Sequence, residues 1–68
     1  MNSILDGLGT SQKIKALMAV KGITQQALAD TVGVSLGTIQ NRFEHGQWTV
    51  AEVREIAAEY GVNIQDLL

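Results

Sequence analysis

The chain has 68 residues, of which 46% are hydrophobic and 18% charged, and it contains no cysteine and no proline. This length accommodates one small domain with a thin core, and the missing cysteines exclude disulfides and cysteine-ligated zinc. A single histidine provides too few nitrogen ligands for a structural zinc site, so neither a metal nor a cofactor is predicted. The sequence has no apolar run of the roughly 18 residues that a membrane span needs, and it lacks the basic N-terminal region of a secretory signal. A cytoplasmic protein is therefore expected.

Positive and negative charges are unevenly distributed along the chain, although the net charge is only −2. Residues 11–43 carry four basic side chains and one acidic side chain, which gives this part a net charge of +3. The remaining residues carry one basic and six acidic side chains, which gives a net charge of −5. Such a polarity is able to orient a domain on a polyanion, but it is equally typical of ordinary solvated helix faces.

The sequence contains the signals of five short helices and no useful stretch with the two-residue period of a strand, so an all-α fold is predicted. Thr10 or Ser11 is expected to cap the first helix. Residues 1–10, which contain two glycines, are predicted to be an N-terminal arm, or at most one loose turn around Ile4, Leu5 and Leu8, that precedes a domain over residues 11–68. The apolar positions of the first helix follow helical spacing and are Ile14, Leu17 and Met18.

The second and third helices are predicted to form a helix-turn-helix. Thr24 and Ser35 are candidate N-caps, because a hydroxyl accepts a hydrogen bond from a free backbone N–H at a helix start. Only Gly33 and Val34 separate the second helix from Ser35, and so short a turn makes the two helices cross at a steep angle. Gly33 stands where this turn requires a positive φ. The apolar residues expected between and along these helices are Leu28, Ala29, Val32, Val34, Ile39 and Phe43.

The fourth helix has the clearest start signal in the chain. Residues 49–52, Thr-Val-Ala-Glu, have the pattern of a capping box, and Gly61 is expected to end the helix. Asn63 is a candidate cap for a final short turn that ends in Leu67 and Leu68 and is counted as the fifth helix. The predicted buried stripe of the fourth helix is Val50, Val53, Ile56, Ala57 and Tyr60.

Enzymatic activity is not predicted. Glu52, Glu55 and Glu59 share one helix, but acid–base catalysis needs a cleft that perturbs a carboxylate pKa, so these residues are expected to form a solvated face. The sequence has no glycine-rich phosphate loop, no Ser/His/Asp set and no cysteine nucleophile. Trp48 is expected to fill the core between helices 3 and 4.

The segment from Gln25 to Glu44, with the capping box and the closing residues 61–68, resembles the lambda-repressor-like helix-turn-helix family, which includes Cro and phage repressors. The resemblance covers residues 11–68. It implies a compact five-helix domain in which helices 2 and 3 form the helix-turn-helix. It also implies a transcriptional regulator that binds operator DNA, usually as a homodimer formed on DNA or through a C-terminal region.

The resemblance further implies that helix 3 enters the major groove of double-stranded DNA, where its N-terminal residues reach base edges. Gln25 matches a glutamine with which the family contacts phosphate. The base-reading positions of the family fall on Leu36, Gly37, Gln40 and Asn41. The amides of Gln40 and Asn41 are able to pair with adenine through one donor and one acceptor. The complete set of implied DNA-binding residues is Thr24, Gln25, Ser35, Leu36, Gly37, Thr38, Gln40, Asn41 and Arg42.

Three of these positions depart from the family pattern. Leu36 and Gly37 replace polar or arginine side chains, and Arg42 stands where relatives carry an apolar residue. Gly37 costs about 1 kcal/mol of helix stability relative to alanine. It either permits a close approach of the backbone to DNA or is simply tolerated near a helix start.

Two function hypotheses follow from the sequence. The first is a sequence-specific DNA-binding transcriptional regulator, a repressor of the phage type, with no membrane or small-molecule partner. The second is a protein-interaction module or an antitoxin-like protein on the same fold, which the net negative charge favours and the amides of Gln25, Gln40 and Asn41 oppose.

Overall fold

The computed structural model describes the backbone of residues 3–68 and the side chains from Gly9 onward. Within residues 3–68 the chain forms four α-helices and one 3-10 turn and contains no strand, which confirms the predicted all-α fold. The elements are α1 (Ser3–Lys21), α2 (Gln25–Val32), α3 (Leu36–His45), α4 (Val50–Tyr60) and the 3-10 turn (Ile64–Asp66).

The predicted fifth helix is only this single 3-10 turn. Asn63 caps it as expected, because its side chain accepts a hydrogen bond of 3.1 Å from the backbone N–H of Gln65. The backbone of Asp66 donates to Asn63 and that of Leu67 donates to Ile64, which are the i to i+3 bonds of a 3-10 helix. Such bonds rarely extend beyond one turn, so the predicted count of five helices is not confirmed: residues 3–68 form four α-helices and this 3-10 turn.

The first helix begins earlier than the sequence predicts. Residues 3–10 belong to α1, which starts at Ser3, and the first two residues lie outside the described part of the chain. The predicted caps Thr10 and Ser11 are instead buried within the helix. With 19 residues α1 is the longest described helix, yet neither it nor another described helix is apolar enough to cross a membrane.

One hydrophobic core receives residues from every helix. The predicted stripe of α4 is confirmed at its centre, where Val53 and Ile56 are fully buried. The prediction that Val50 is buried is wrong. Its side chain is 55% exposed, because it is the first residue of α4 and precedes the turn that meets the core. From Gly9 onward, the buried apolar residues are Ile14, Leu28, Ala29, Ile39, Phe43, Val53, Ile56, Ala57 and Leu67.

Trp48 joins α1 and α3 from the loop that follows α3. Its ring meets that of Phe43 edge to face, with centroids 5.0 Å apart and planes at 81°. Its indole Nε1 donates a 2.9 Å hydrogen bond to the Oγ atom of Ser11, so the buried hydroxyl of α1 is satisfied. Trp48 thus packs against the core as predicted, although its partners described here are on α1 and α3.

Candidate nucleic-acid interface

The turn between α2 and α3 contains the left-handed glycine that the sequence predicts for a helix-turn-helix. Gly33 adopts a left-handed conformation with φ of 81°, which side chains with a β-carbon avoid. The backbone N–H groups of Gly33 and Val34 both donate to the carbonyl of Ala29, at 2.8 and 3.0 Å. The chain then turns directly into α3, whose N-cap is Ser35.

Hydroxyl groups cap both helices of this motif. Thr24 Oγ1 accepts a 3.0 Å bond from the backbone of Ala27, and Ser35 Oγ accepts a 3.2 Å bond from the backbone of Thr38. The hydroxyls of Ser35 and Thr38 are also hydrogen-bonded to each other, at 3.0 Å. A hydroxyl that caps a helix acts as an acceptor, so the hydrogen of Thr24 Oγ1 remains able to donate to an outside acceptor.

The two faces of α3 differ sharply in exposure. Ile39 and Phe43 face the core, and the opposite face is exposed. Leu36 is half-buried. The exposed side has the i, i+3, i+4, i+7 spacing of one helix face and is hereafter called the outer ridge: Gly37, Gln40, Asn41 and Glu44.

The outer ridge brings together three of the predicted base-reading positions and adds one residue that the sequence analysis missed. Glu44 follows Gln40 by one helical turn and is exposed beside it. Its helical spacing from Gly37 was the signal that would have identified it. A carboxylate on this ridge is able to accept a hydrogen bond from the exocyclic amine of cytosine, and phosphate repels it.

The remaining predicted polar contact of α2 is Gln25. It is the first residue of the helix, next to the capping Thr24, and is half-buried. A basic residue of α1 also approaches α3: Lys15 places its Nζ atom 5.6 Å from the ring centroid of Phe43. This distance is within the range of a cation–π contact, so a positive charge lies beside the third helix.

Arg42 is held by an acidic residue of the next helix. Its Nε atom donates to both carboxylate oxygens of Glu52, at 2.9 and 3.1 Å, and its Nη2 atom donates to one of them at 3.0 Å. The hydrogen bond from Arg42 is the main cause that lowers the pKa of the Glu52 carboxyl, and burial opposes it. The stabilisation from this pair is therefore present above the unfolded pKa of the carboxyl and is lost as the pH falls through its lower folded value.

Glu52 therefore differs from the solvated residue that the sequence predicts. It is half-buried, whereas Glu55 and Glu59 on the same helix are exposed as expected. Glu52 also completes the predicted capping box, since Oε1 accepts a 2.9 Å bond from the backbone of Thr49 and Thr49 Oγ1 accepts a 3.1 Å bond from the backbone of Glu52. The capping box directs this carboxylate back toward the loop that follows α3.

The family model of the bacteriophage CI repressor helix-turn-helix domain matches residues 12–68. No curated protein and no solved structure matches the chain. The matched range includes α2, the turn, α3, α4 and the 3-10 turn, and thus the whole outer ridge.

Proposed function

The chain belongs to the bacteriophage CI repressor helix-turn-helix domain family, and from this premise we propose that it is a repressor that reads double-stranded DNA with α3 in the major groove. The observation that carries this proposal is the outer ridge. Its two neighbouring amides, Gln40 and Asn41, are exposed, whereas Ile39 and Phe43 of the same helix are buried. A glutamine or asparagine amide is able to donate a hydrogen bond to N7 of adenine and to accept one from its exocyclic N6 amine at the same time. This pair of hydrogen bonds selects adenine.

Contacts to the DNA backbone are proposed for the starts of α2 and α3. The first backbone N–H groups of each helix have no partner within the helix and carry partial positive charge, which suits phosphate oxygens. Thr24 and Gln25 lie at the start of α2, and Ser35 and Thr38 lie at the start of α3. Leu36, half-buried beside them, supplies an apolar contact to a thymine methyl.

Binding as a homodimer is part of the proposal. Residues 11–43 have a net charge of only +3, so one copy neutralises few phosphates. Two copies double this electrostatic contribution and read two half-sites about one helical turn apart. The operator is accordingly expected to be a pseudo-palindrome.

The proposal is tested by selecting bound sequences from random duplex DNA. We expect enrichment of a symmetric site that contains adenine at positions contacted by the amides of Gln40 and Asn41. The matched control is the double variant Gln40→Ala/Asn41→Ala, which keeps the charge and the fold and is expected to enrich no such site. If the natural sequence enriches nothing while it captures a specific protein from lysate, the chain is a protein-interaction module instead.

Gly37→Ala is expected to raise stability and weaken DNA binding. Among the described side chains, an added β-carbon at this glycine meets only Ser35 Oγ, at an ordinary distance of 3.9 Å. The alanine variant should therefore be more stable by about 0.5–1 kcal/mol in urea unfolding. A several-fold loss of affinity for the selected site in the same variant would show that DNA approaches the backbone of α3 here. Unchanged affinity would show that the glycine is merely tolerated.

A further inference from the structure

We propose that Arg42 is a positioning residue for α3, and that its pair with Glu52 fixes the outer ridge instead of neutralising a DNA phosphate. This inference rests on the proposed function of α3 as the recognition helix. It assigns a role to two residues on adjacent helices, of which Glu52 lies outside the predicted DNA-binding set.

The hydrogen bonds between Arg42 and Glu52 hold the two side chains in one relative orientation. The guanidinium binds side-on through Nε and Nη2, with three hydrogen bonds between 2.9 and 3.1 Å. The side chains of Arg42 and Glu52 are only 25% and 12% exposed. Bidentate contacts of this kind fix an angle as well as a distance, which a lysine in the same place does not do.

The same carboxylate connects two helices. Glu52 Oε1 accepts from Arg42 Nε and from the backbone of Thr49, both at 2.9 Å. One oxygen atom thus joins the last turn of α3 to the N-cap of α4 across the loop 46–49. The core holds α3 through Ile39 and Phe43 on a single face, so a contact to its flank limits rotation about the helix axis.

A role in neutralising phosphate is poorly supported by these contacts. The carboxylate of Glu52 already compensates the charge of the guanidinium, so the pair as a whole is neutral. Affinity gained by counterion release depends on phosphates that meet uncompensated positive charge. Arg42 is therefore expected to contribute little to the salt dependence of binding.

The first arm of the test measures binding to the selected DNA site over a range of salt concentrations. Arg42→Met and Glu52→Gln are each expected to lower affinity about fivefold with an unchanged salt slope, and the double variant is expected to be no weaker than either. Glutamine preserves the capping box, because its side-chain carbonyl still accepts from Thr49. Arg54→Met, which removes the same charge from an exposed position of α4, should change affinity less than twofold.

Three results in this arm would overturn the inference. A salt slope shallower by about 0.9 in Arg42→Met identifies a phosphate contact. Tighter binding by Glu52→Gln shows that the carboxylate competes with DNA for the arginine. Affinity unchanged in both variants shows that the pair has no effect on recognition.

The second arm uses the free protein and is independent of DNA. Amide hydrogen exchange in the last turn of α3, up to Gly46, is expected to accelerate at least about threefold in Arg42→Met and Glu52→Gln, relative to amides of α2. The Arg54→Met variant should show no such change. Unchanged exchange rates would overturn the positioning role even if the chain bound no DNA, whereas accelerated exchange without DNA binding would contradict only the proposed function.

Discussion

Replacing Asn41 by alanine is expected to weaken binding to the selected DNA site by about tenfold or more, while binding to unrelated duplex changes less than about threefold. A bidentate amide contact to a base discriminates by about 1–3 kcal/mol, and 1.4 kcal/mol corresponds to tenfold. The side chain is exposed on the outer ridge, so the substitution leaves the core intact. Fluorescence anisotropy with both duplexes at one fixed salt concentration measures the two affinities.

The control for this substitution is Gln65→Ala. Gln65 has an exposed amide in the 3-10 turn, so its loss tests for an unspecific effect of removing such a group. On each duplex, Gln65→Ala is expected to bind with the same affinity as the natural sequence. If Asn41→Ala instead lowered the affinity for both duplexes by the same factor, residue 41 would contribute no base recognition.

Local sequence signals were sufficient for most of the helix-turn-helix. Thr24, Ser35 and Thr49 cap their helices as predicted, and Gly33 adopts the left-handed turn. These features depend on the residue itself and on neighbours within four positions, so short-range patterns encode them. The same applies to the outer ridge, since the burial of Ile39 and Phe43 fixes which face of α3 is exposed.

Contacts between distant residues could not be predicted in this way. Ser11 has the residue type of an N-cap, but in the fold it accepts a hydrogen bond from Trp48, which is 37 positions away. Likewise, the tyrosine of α4 meets Thr31 of α2 through their hydroxyls at 3.2 Å, across 29 positions. Only the packing of helices brings such groups together, and packing is not readable from spacing along one chain.

The charge of the candidate site likewise depends on a contact between distant residues. A net charge of −2 argues against a nucleic-acid partner, and the basic count of residues 11–43 argues for one. The structure shows that one of those basic residues, Arg42, is paired with Glu52 from the acidic part. Exposed amides on the outer ridge, more than net charge, therefore support the DNA-binding proposal for this chain.

Ile39→Ala is expected to lower the free energy of unfolding by about 2–5 kcal/mol. Ile39 is fully buried and attaches α3 to the core, so the shorter side chain loses burial and leaves a cavity. A domain of this size has a total stability of roughly 3–10 kcal/mol, so the variant is expected to be partly unfolded near its working temperature. Urea unfolding followed by far-ultraviolet circular dichroism measures the change.

Gln40→Ala is the matched control for stability, because it truncates the adjacent residue of α3, whose side chain is exposed. Its free energy of unfolding should stay within about 0.5 kcal/mol of the natural sequence. The two variants then separate the functions of the two faces. Ile39→Ala should lose DNA affinity only in proportion to the unfolded fraction, whereas Gln40→Ala should lose affinity while fully folded. A loss of less than about 1 kcal/mol in Ile39→Ala would mean that α3 is not anchored through this residue, and the orientation of the outer ridge would then be wrong.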